Sequence, residues 1–290
     1  MGKVAVITDS NSGITQEEAK RLGLSVLPMP FMVDGVWYME GIDLTADMFF
    51  QKLIEGADIS TSKPSIGMLT ELWDEVLETH DEIVYIPMSS SLSSSYESAV
   101  MIAEEYDGKV QVVNNQRISV TQRQSAIDAL EMAGAGKSAA QIRQYLEDVK
   151  FDSSIYIMLD TLKYIKKGGR ITPAGAAIGS LLNIKAVLQI QGDKLDKYAV
   201  AFSSKQARGI MTDAIRKDFT ARFADFAGPG RMWLQVAYTY DLKAAESFKA
   251  ELGAAFPDYD IYLAPLALSV SCHIGPNSLA VACCKKIDCI

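Results

Sequence analysis

Short apolar runs and amphipathic segments alternate along the first half of the chain. Each run has the length of a β-strand and is followed by a polar turn, after which apolar residues recur at helical spacing. The apolar runs are residues 4–8, 83–86 and 110–113. Short strands that alternate with helices are typical of a parallel sheet covered on both faces. We therefore predict an N-terminal three-layer α/β/α domain with a parallel sheet.

The pattern changes near Phe151, after which strand-like runs outnumber helical segments. A hairpin is predicted at residues 187–202, and a long amphipathic helix follows it at residues 204–223. The other expected elements are strands at 154–159, 233–238, 261–266 and 279–284 and helices at 174–182 and 241–254. This pattern predicts a C-terminal two-layer α/β domain with a mixed sheet. We place the two domains of this α/β protein at residues 1–151 and 152–290.

Composition and charge narrow the range of partners. The chain has 290 residues, 49% of them apolar, with a mean hydropathy of +0.08 and a formal charge of −8. An acidic chain without a long basic run is a poor partner for nucleic acid or for an anionic membrane surface. The first residues have the apolar pattern of a β-strand. No apolar run is as long as a membrane-spanning helix, which needs about 18 residues. We expect a cytosolic protein without stable membrane insertion.

Hydroxyl side chains are concentrated where predicted strands give way to helices. The turn after the second apolar run contains six serines, among them Ser93 and Ser94, and a second hydroxyl-rich stretch contains Thr61 and Ser62. One serine is enough to cap a helix, whereas several hydroxyls with free N–H groups form a cradle for a carboxylate or phosphate. Ligands of parallel sheets bind at the carboxyl ends of the strands. We therefore expect these loops to converge around an anion.

Motifs of several large enzyme classes are absent from the sequence. It contains no G-x-S-x-G elbow, G-x-G-x-x-G fingerprint, P-loop or H-E-x-x-H motif. All four cysteines lie in the last 19 residues without CxxC spacing, and the chain has only two histidines. This distribution favours reduced thiols over a zinc site. We expect neither a metal ion nor a cofactor.

Two basic positions have alternative interpretations. His273 precedes Gly275 and Pro276, which predict a rigid turn before the last strand, so this histidine is either structural or a ligand contact. Arg170 belongs to a lysine-rich segment at a predicted helix end, where cations either favour the helix terminus or contact a ligand or partner. A serine-based hydrolase that uses Ser93, His273 and Asp9 also stays open.

Several segments, in this order and over nearly the whole chain, resemble the DegV family. They are Ile7-Thr8-Asp9-Ser10, Thr61-Ser62-Lys63-Pro64-Ser65, Leu92-Ser93 with Tyr96, Asp160-Thr161-Leu162-Lys163-Tyr164, Lys167-Gly168-Gly169-Arg170-Ile171, residues 179–185 and His273-Ile274-Gly275-Pro276. Each segment is short, but the set is specific. The chain departs from the usual residues of the family at Ser91, Ser94, Asn114, Asn115, Thr121, Arg123, Ala186, Phe202 and Asn277.

The resemblance implies a carrier that binds one long-chain fatty acid between its two domains. Similar proteins hold the carboxylate with hydroxyl groups, bury the acyl tail and present the fatty acid to a fatty acid kinase, which makes an acyl phosphate from it. The resemblance implies no catalytic residue and places ligand contacts, by position, at Thr61, Ser62, Ser93, Ser94, His273 and Arg170.

Elementary energetics are compatible with such a carrier. Burial of each methylene contributes roughly 0.8 kcal/mol, so a chain of about 16 carbons supplies about 10 kcal/mol before ordering costs. A carboxylate that leaves water needs hydrogen bonds in return, and hydroxyl and N–H groups supply them. Two alternatives remain at this point: a serine-based hydrolase or phosphotransferase that uses Ser93, and a regulatory protein without a ligand.

Overall fold

The computed structural model describes residues 2–177, 184–192 and 194–287. The chain forms two compact units. The N-terminal unit comprises Met1–Lys150 and Ala267–Ser269, and the C-terminal unit comprises Phe151–Leu266 and Val270–Cys289. The α/β class is confirmed, with a parallel sheet in one unit and a mixed sheet in the other. The division into domains at residue 151 stays a prediction, since compact units need not fold independently.

The N-terminal unit alternates strands and helices, as its sequence predicts. Its elements are β1 (Val4–Asp9), α1 (Gln16–Leu22), β2 (Ser25–Leu27), β3 (Pro30–Val33), β4 (Val36–Met39), α2 (Ala46–Glu55), β5 (Ile59–Thr61), α3 (Ile66–Leu77), β6 (Glu82–Ile86), α4 (Ser95–Ala103), β7 (Val110–Val112), α5 (Ser119–Gly134) and α6 (Ala139–Asp148). A short 3₁₀ turn, Ser10–Ser12, follows β1 directly.

Four parallel strands in the order β2-β1-β6-β7 form the main sheet of this unit. Helices α3 and α4 pack on one face, where the fully buried Trp73 makes edge-to-face contacts with Tyr85 and Tyr106. Helices α5 and α6 contact β1, β6 and β7 from the other face. Both faces of the sheet are therefore covered. Because β1 and β6 are parallel neighbours, their carboxyl ends lie together at one edge of the sheet.

A second, three-stranded sheet has the antiparallel order β4-β3-β5. The hairpin of β3 and β4 turns at Asp34 and Gly35, a D-G pair in which both residues have positive φ, as a turn of this kind requires. The sequence did not predict β5, whose last residue, Thr61, lies opposite Phe31 of β3. This pairing fixes the backbone of the second hydroxyl-rich stretch.

The remaining elements are β8 (Ser153–Leu159), α7 (Lys163–Gly168), α8 (Pro173–Ala177), β9 (Lys185–Ile190), β10 (Asp196–Ala201), α9 (Ser204–Lys217), β11 (Met232–Tyr238), α10 (Leu242–Ala255), β12 (Ile261–Pro265), α11 (Leu268–Ile274) and β13 (Leu279–Lys285). Six of these strands form the mixed sheet, in the order β10-β9-β8-β13-β11-β12. The expected hairpin is present as β9 and β10.

The two faces of the six-stranded sheet differ in what packs on them. Alternate residues of a strand point to opposite faces. Tyr156, Met158 and Val281 belong to the core that α9 and α10 cover. The opposite face carries Ile157, which pairs with Leu188 on one side and Ala280 on the other. That second face continues through Ala282, Ala237 and Ala264, so small apolar side chains line much of it. The buried Gln235, which pairs with Ala282, is a polar residue on the same face.

Three predicted elements need correction or completion. The amphipathic helix predicted at 204–223 is interrupted, because α9 ends at Lys217 and a π-helical turn, Asp218–Arg222, replaces its last turn. His273 lies in α11 and not in a turn, since Gly275 ends that helix with positive φ only after it. The helix predicted at 174–182 begins as α8, and residues 178–182 lie outside the described residues, as does the 179–183 part of the 179–185 segment.

Among the helices that the structure describes, none is long and apolar enough to cross a membrane.

Trp73 is expected to be a principal stabilising residue of the N-terminal unit. Replacement of Trp73 by Ala removes a fully buried ring and leaves a cavity between α3 and the sheet, so we expect a loss of about 3–5 kcal/mol in unfolding free energy. Urea denaturation measures this loss. Trp37, which is 55% exposed on β4, is the matched control, and its Ala variant should stay within about 0.5 kcal/mol of the wild type. Equal losses in the two variants would contradict this placement of the core.

Candidate functional site

The carboxylate of Asp9, at the end of β1, organises the polar edge of the parallel sheet. Its Oδ1 accepts hydrogen bonds from the backbone and side-chain amides of Asn11, at 3.0 and 2.9 Å, and from Nε2 of Gln122 at 2.9 Å. Its Oδ2 accepts from the backbone N–H of Met88 at 2.9 Å. Burial raises the pKa of Asp9, and these donors act in the opposite direction. One side chain thereby connects β1, the loop after β6 and α5.

Glu40 is a second buried carboxylate of the same unit. Its Oε2 accepts a hydrogen bond of 2.6 Å from the hydroxyl of Ser10, and its Oε1 accepts from the backbone N–H of Leu268. Ser269, next to Leu268, donates its hydroxyl to Oδ1 of Asn11 at 2.6 Å. Burial raises the pKa of Glu40 to about 7, although hydrogen bonds from Ser10, Leu268 and Ser269 lower it. Residues 267–269 are therefore attached to this unit by a carboxylate that titrates near neutral pH.

The serine-rich turn between β6 and α4 is held by its own first residue. The backbone carbonyl of Ser89 accepts from the N–H groups of Leu92 and Ser93, at 3.0 and 3.2 Å, and the Ser89 N–H donates to the carbonyl of Arg117. The hydroxyl of Ser90 donates to Oδ1 of Asn114 at 2.9 Å. The turn is thus fixed to the loop that precedes α5.

Ser93 and Ser95 form a hydroxyl pair at the start of α4. Their oxygens are 2.8 Å apart, and the backbone N–H of Ser95 donates to Oγ of Ser93 at 3.2 Å. Ser93 is half-buried, whereas Ser95 is only 3% exposed. Ser94, at the N-cap position, is exposed, and its side chain makes no capping hydrogen bond. Capping by Ser94 therefore does not explain this stretch of serines.

Thr61 and Ser62 lie at the end of β5, and both are half-buried. The backbone N–H of Ser62 donates to the carbonyl of Pro30 at 3.0 Å, and its hydroxyl donates to the carbonyl of Lys63. The ammonium of Lys63 in turn donates to Oγ of Ser98, at 2.6 Å, on the second turn of α4. This contact joins the second hydroxyl-rich stretch to the helix that carries the serine pair.

His273 and Arg170 lie in the C-terminal unit, where α7 and α11 pack closely. A methyl group on Gly168, the last residue of α7, would overlap Nδ1 of His273, and one on Gly275 would overlap the ring of Tyr164. The guanidinium of Arg170 donates to the carbonyl of Gly168. The glycines of both segments are therefore needed for close packing of the two helices.

The electrostatic surroundings keep His273 neutral. Burial, and secondly the positive charge of Arg170, lower the pKa of His273 to about 4. Burial also raises the pKa of the neighbouring Cys272 to about 11, which leaves the thiol protonated. At neutral pH the imidazole can donate one hydrogen bond and accept another.

Within each unit, the structure brings some of the predicted site residues together. Ser93 lies in the serine turn with Ser94, and Arg170 and His273 both contact Gly168. The sequence missed Glu40 and Ser95. The sequence contains one usable signal for Glu40, which is the first charged residue after an apolar run, as Asp9 is.

We expect Glu40 to make stability fall as pH rises. The pKa of Glu40 in the folded state, about 7, exceeds its ordinary value of 4.5, so the folded state binds the proton more tightly than the unfolded state does. Stability from this group is full below pH 4.5 and is lost as pH rises through about 7. Between pH 5.5 and 8.5 we expect urea unfolding to show a loss of about 2 kcal/mol that is absent in Glu40→Gln. An equal loss in the variant would refute this assignment.

Gly168→Ala should disturb the packing of His273. Overpacking at this position is expected to cost about 1–3 kcal/mol and to shift the imidazole resonances in NMR spectra. Gly209, within α9 of the same unit, has nothing within 4 Å of an added methyl group. Gly209→Ala is therefore the control and should gain about 0.5–1 kcal/mol. Unchanged His273 resonances in Gly168→Ala would show that the two groups do not touch.

Comparisons with known proteins agree with one another. Residues 3–286 match the model of the DegV family, which is described as "Uncharacterised protein, DegV family". A DegV domain-containing protein of Deinococcus radiodurans is 30% identical, with 96% of this chain and 97% of the other covered, and one of Listeria monocytogenes is 29% identical over the same shares.

Solved structures show the same fold over the full length. A DegV family protein from Thermus thermophilus, whose structure was described for its fatty acid binding, is 28% identical and has a TM-score of 0.88. The alignment covers 98% of this chain and 99% of that one. DegV from Bacillus subtilis, named as a fatty acid binding protein, is 24% identical with a TM-score of 0.86, and it supports the fold alone.

Proposed function

Because the chain belongs to the DegV family, we propose that it binds a long-chain fatty acid. The observation that carries the proposal is the full-length likeness to the fatty acid-binding protein from Thermus thermophilus. The polar edge of the N-terminal unit supports it, since hydroxyl and N–H donors are what a carboxylate requires when it leaves water.

We propose that hydroxyls hold the carboxylate. Ser93 is the central donor because it is half-buried at a strand–helix turn, and its position is fixed by Ser95. Thr61 and Ser62 are further donors on a backbone that β3 fixes. Ser94 and His273, which acts as a neutral imidazole, are the other proposed donors. Arg170 would face the headgroup or the docked kinase.

The acyl tail needs an apolar surface. The face of the six-stranded sheet opposite α9 and α10 has the appropriate chemistry, because Ile157 and Leu188 flank a centre of small side chains such as Ala280 and Ala282. A saturated chain gains roughly 0.8 kcal/mol for each methylene that leaves water for such a surface. The predicted place of the tail between the two domains stays a prediction.

We further propose a carrier role, in which the bound fatty acid is presented to a fatty acid kinase for acyl phosphate formation. Neutral donors satisfy a carboxylate without the two parallel hydrogen bonds of an arginine, which leaves an oxygen lone pair for phosphoryl transfer.

The serine hydrolase alternative is less well supported. In the part of the chain that the structure describes, Ser93 bonds to Ser95, and Asp9 accepts only from Asn11, Gln122 and Met88. The kinase and a cytosolic location stay predictions.

Native mass spectrometry of the purified protein tests ligand binding. We expect the mass of one fatty acid on the folded protein, and its release into an organic extract after denaturation. No fatty acid in the extract, even after incubation with palmitate or oleate, would refute the proposal.

Ser93→Ala tests the carboxylate donor. The variant leaves a charged oxygen short of one donor, so palmitate affinity should fall by about 1–3 kcal/mol in titration calorimetry. Ser60→Ala, an exposed residue of β5, is the control and should bind as the wild type does. Wild-type affinity in Ser93→Ala would remove this residue from the site.

A further inference from the structure

The hydroxyl pair at the start of α4 has a definite direction. A serine hydroxyl has one hydrogen to donate and two lone pairs that accept. The distance of 2.8 Å between the oxygens of Ser93 and Ser95 shows a hydrogen bond, and either oxygen can in principle supply the hydrogen. The two choices have different consequences for a ligand, because a hydrogen used between the serines is not available to it.

Burial decides which serine donates. Ser95 is 3% exposed, and in the described part of the chain its hydroxyl has Ser93 as its partner. If Ser93 donated, the hydrogen of Ser95 would remain in the interior without an acceptor, which is costly. If Ser95 donates, both its hydroxyl hydrogen and its backbone N–H have Oγ of Ser93 as acceptor. The second arrangement is therefore the stable one.

This arrangement leaves Ser93 with one remaining role. Its oxygen then accepts twice from the same residue, once from the backbone N–H of Ser95 at 3.2 Å and once from the Ser95 hydroxyl. The hydrogen of the Ser93 hydroxyl is then directed away from the pair. Ser93 is half-buried, whereas Ser95 is fully buried. A hydroxyl with both lone pairs occupied can only donate to a further partner.

We propose that Ser95 is a positioning residue that holds the Ser93 hydroxyl as a donor and so selects an anionic headgroup. The inference rests on the proposed function, because it concerns the carboxylate donor of that site. Ser95 itself does not touch the ligand. A carboxylate accepts only, so it matches a fixed donor, whereas a fatty alcohol both donates and accepts and depends less on the direction of Ser93.

Binding of palmitate and of 1-hexadecanol to Ser95→Ala tests the proposal. These probes share the tail and differ in the headgroup. We expect palmitate affinity to fall roughly 3- to 10-fold, while 1-hexadecanol affinity stays within about twofold of the wild type. Ser95→Thr keeps the hydroxyl and should restore palmitate binding. Ser95→Cys has a side chain of similar size but only a weak donor, so its affinities should resemble those of Ser95→Ala. If Ser95→Ala does not fold, Ser95→Cys is used in its place.

The outcomes separate this inference from the proposed function. Failure of the wild type to bind palmitate would refute the function. Wild-type binding of palmitate together with its loss in Ser93→Ala, but with unchanged palmitate affinity in Ser95→Ala and Ser95→Cys, would overturn the role of Ser95 alone. Equal losses for palmitate and 1-hexadecanol would show that Ser95 acts through local structure and would overturn it as well.

Discussion

The N-terminal unit depends on a carboxyl group that is buried at the end of its central strand. Asp9 is inaccessible to solvent, and a carboxylate in that position is tolerated only when hydrogen-bond donors replace water. Its donors come from Asn11, Met88 and Gln122, which belong to three different segments. Satisfying one carboxylate therefore places the first loop, the serine turn and α5 relative to one another.

Two further carboxyl groups are held by neutral hydrogen-bond donors in the same way, if the proposed ligand is counted as one of them. Glu40 is stabilised by Ser10 and by the backbone of Leu268, again through neutral groups. Burial raises the pKa of both carboxyl groups against the effect of these donors, and it brings the pKa of Glu40 to about 7. A fatty acid carboxylate held by Ser93 and Thr61 would be a third case, and this unit would treat an external anion as it treats its own.

The sequence predicts the parallel sheet well because short apolar runs alternate regularly with amphipathic helical segments there. It fails where tertiary pairing overrides local pattern. The strand β5 has only three residues in a hydroxyl-rich stretch, and only its register with β3 makes it a strand. His273 was assigned to a turn because Gly275 and Pro276 dominate the local signal, although the helix that ends there is seven residues long. The serine-rich turn is evident from the sequence, whereas the partner of each hydroxyl and the direction of its hydrogen bond require distances and burial.

The individual contacts explain why the turn needs several serines when one can cap a helix. The hydroxyl of Ser89 accepts from the backbone N–H of Ser91 at 3.3 Å, and the hydroxyl of Ser90 fixes the turn to Asn114. Ser95 is buried beside Ser93, so the two hydroxyls are not equivalent donors: we infer that Ser95 donates to Ser93 and that Ser93 donates outward. Small hydroxyl side chains suit all of these tasks, since each must bond over a short distance in little space. A repeated residue type in this segment thus reflects several separate geometric requirements, of which the proposed ligand contact would be only one.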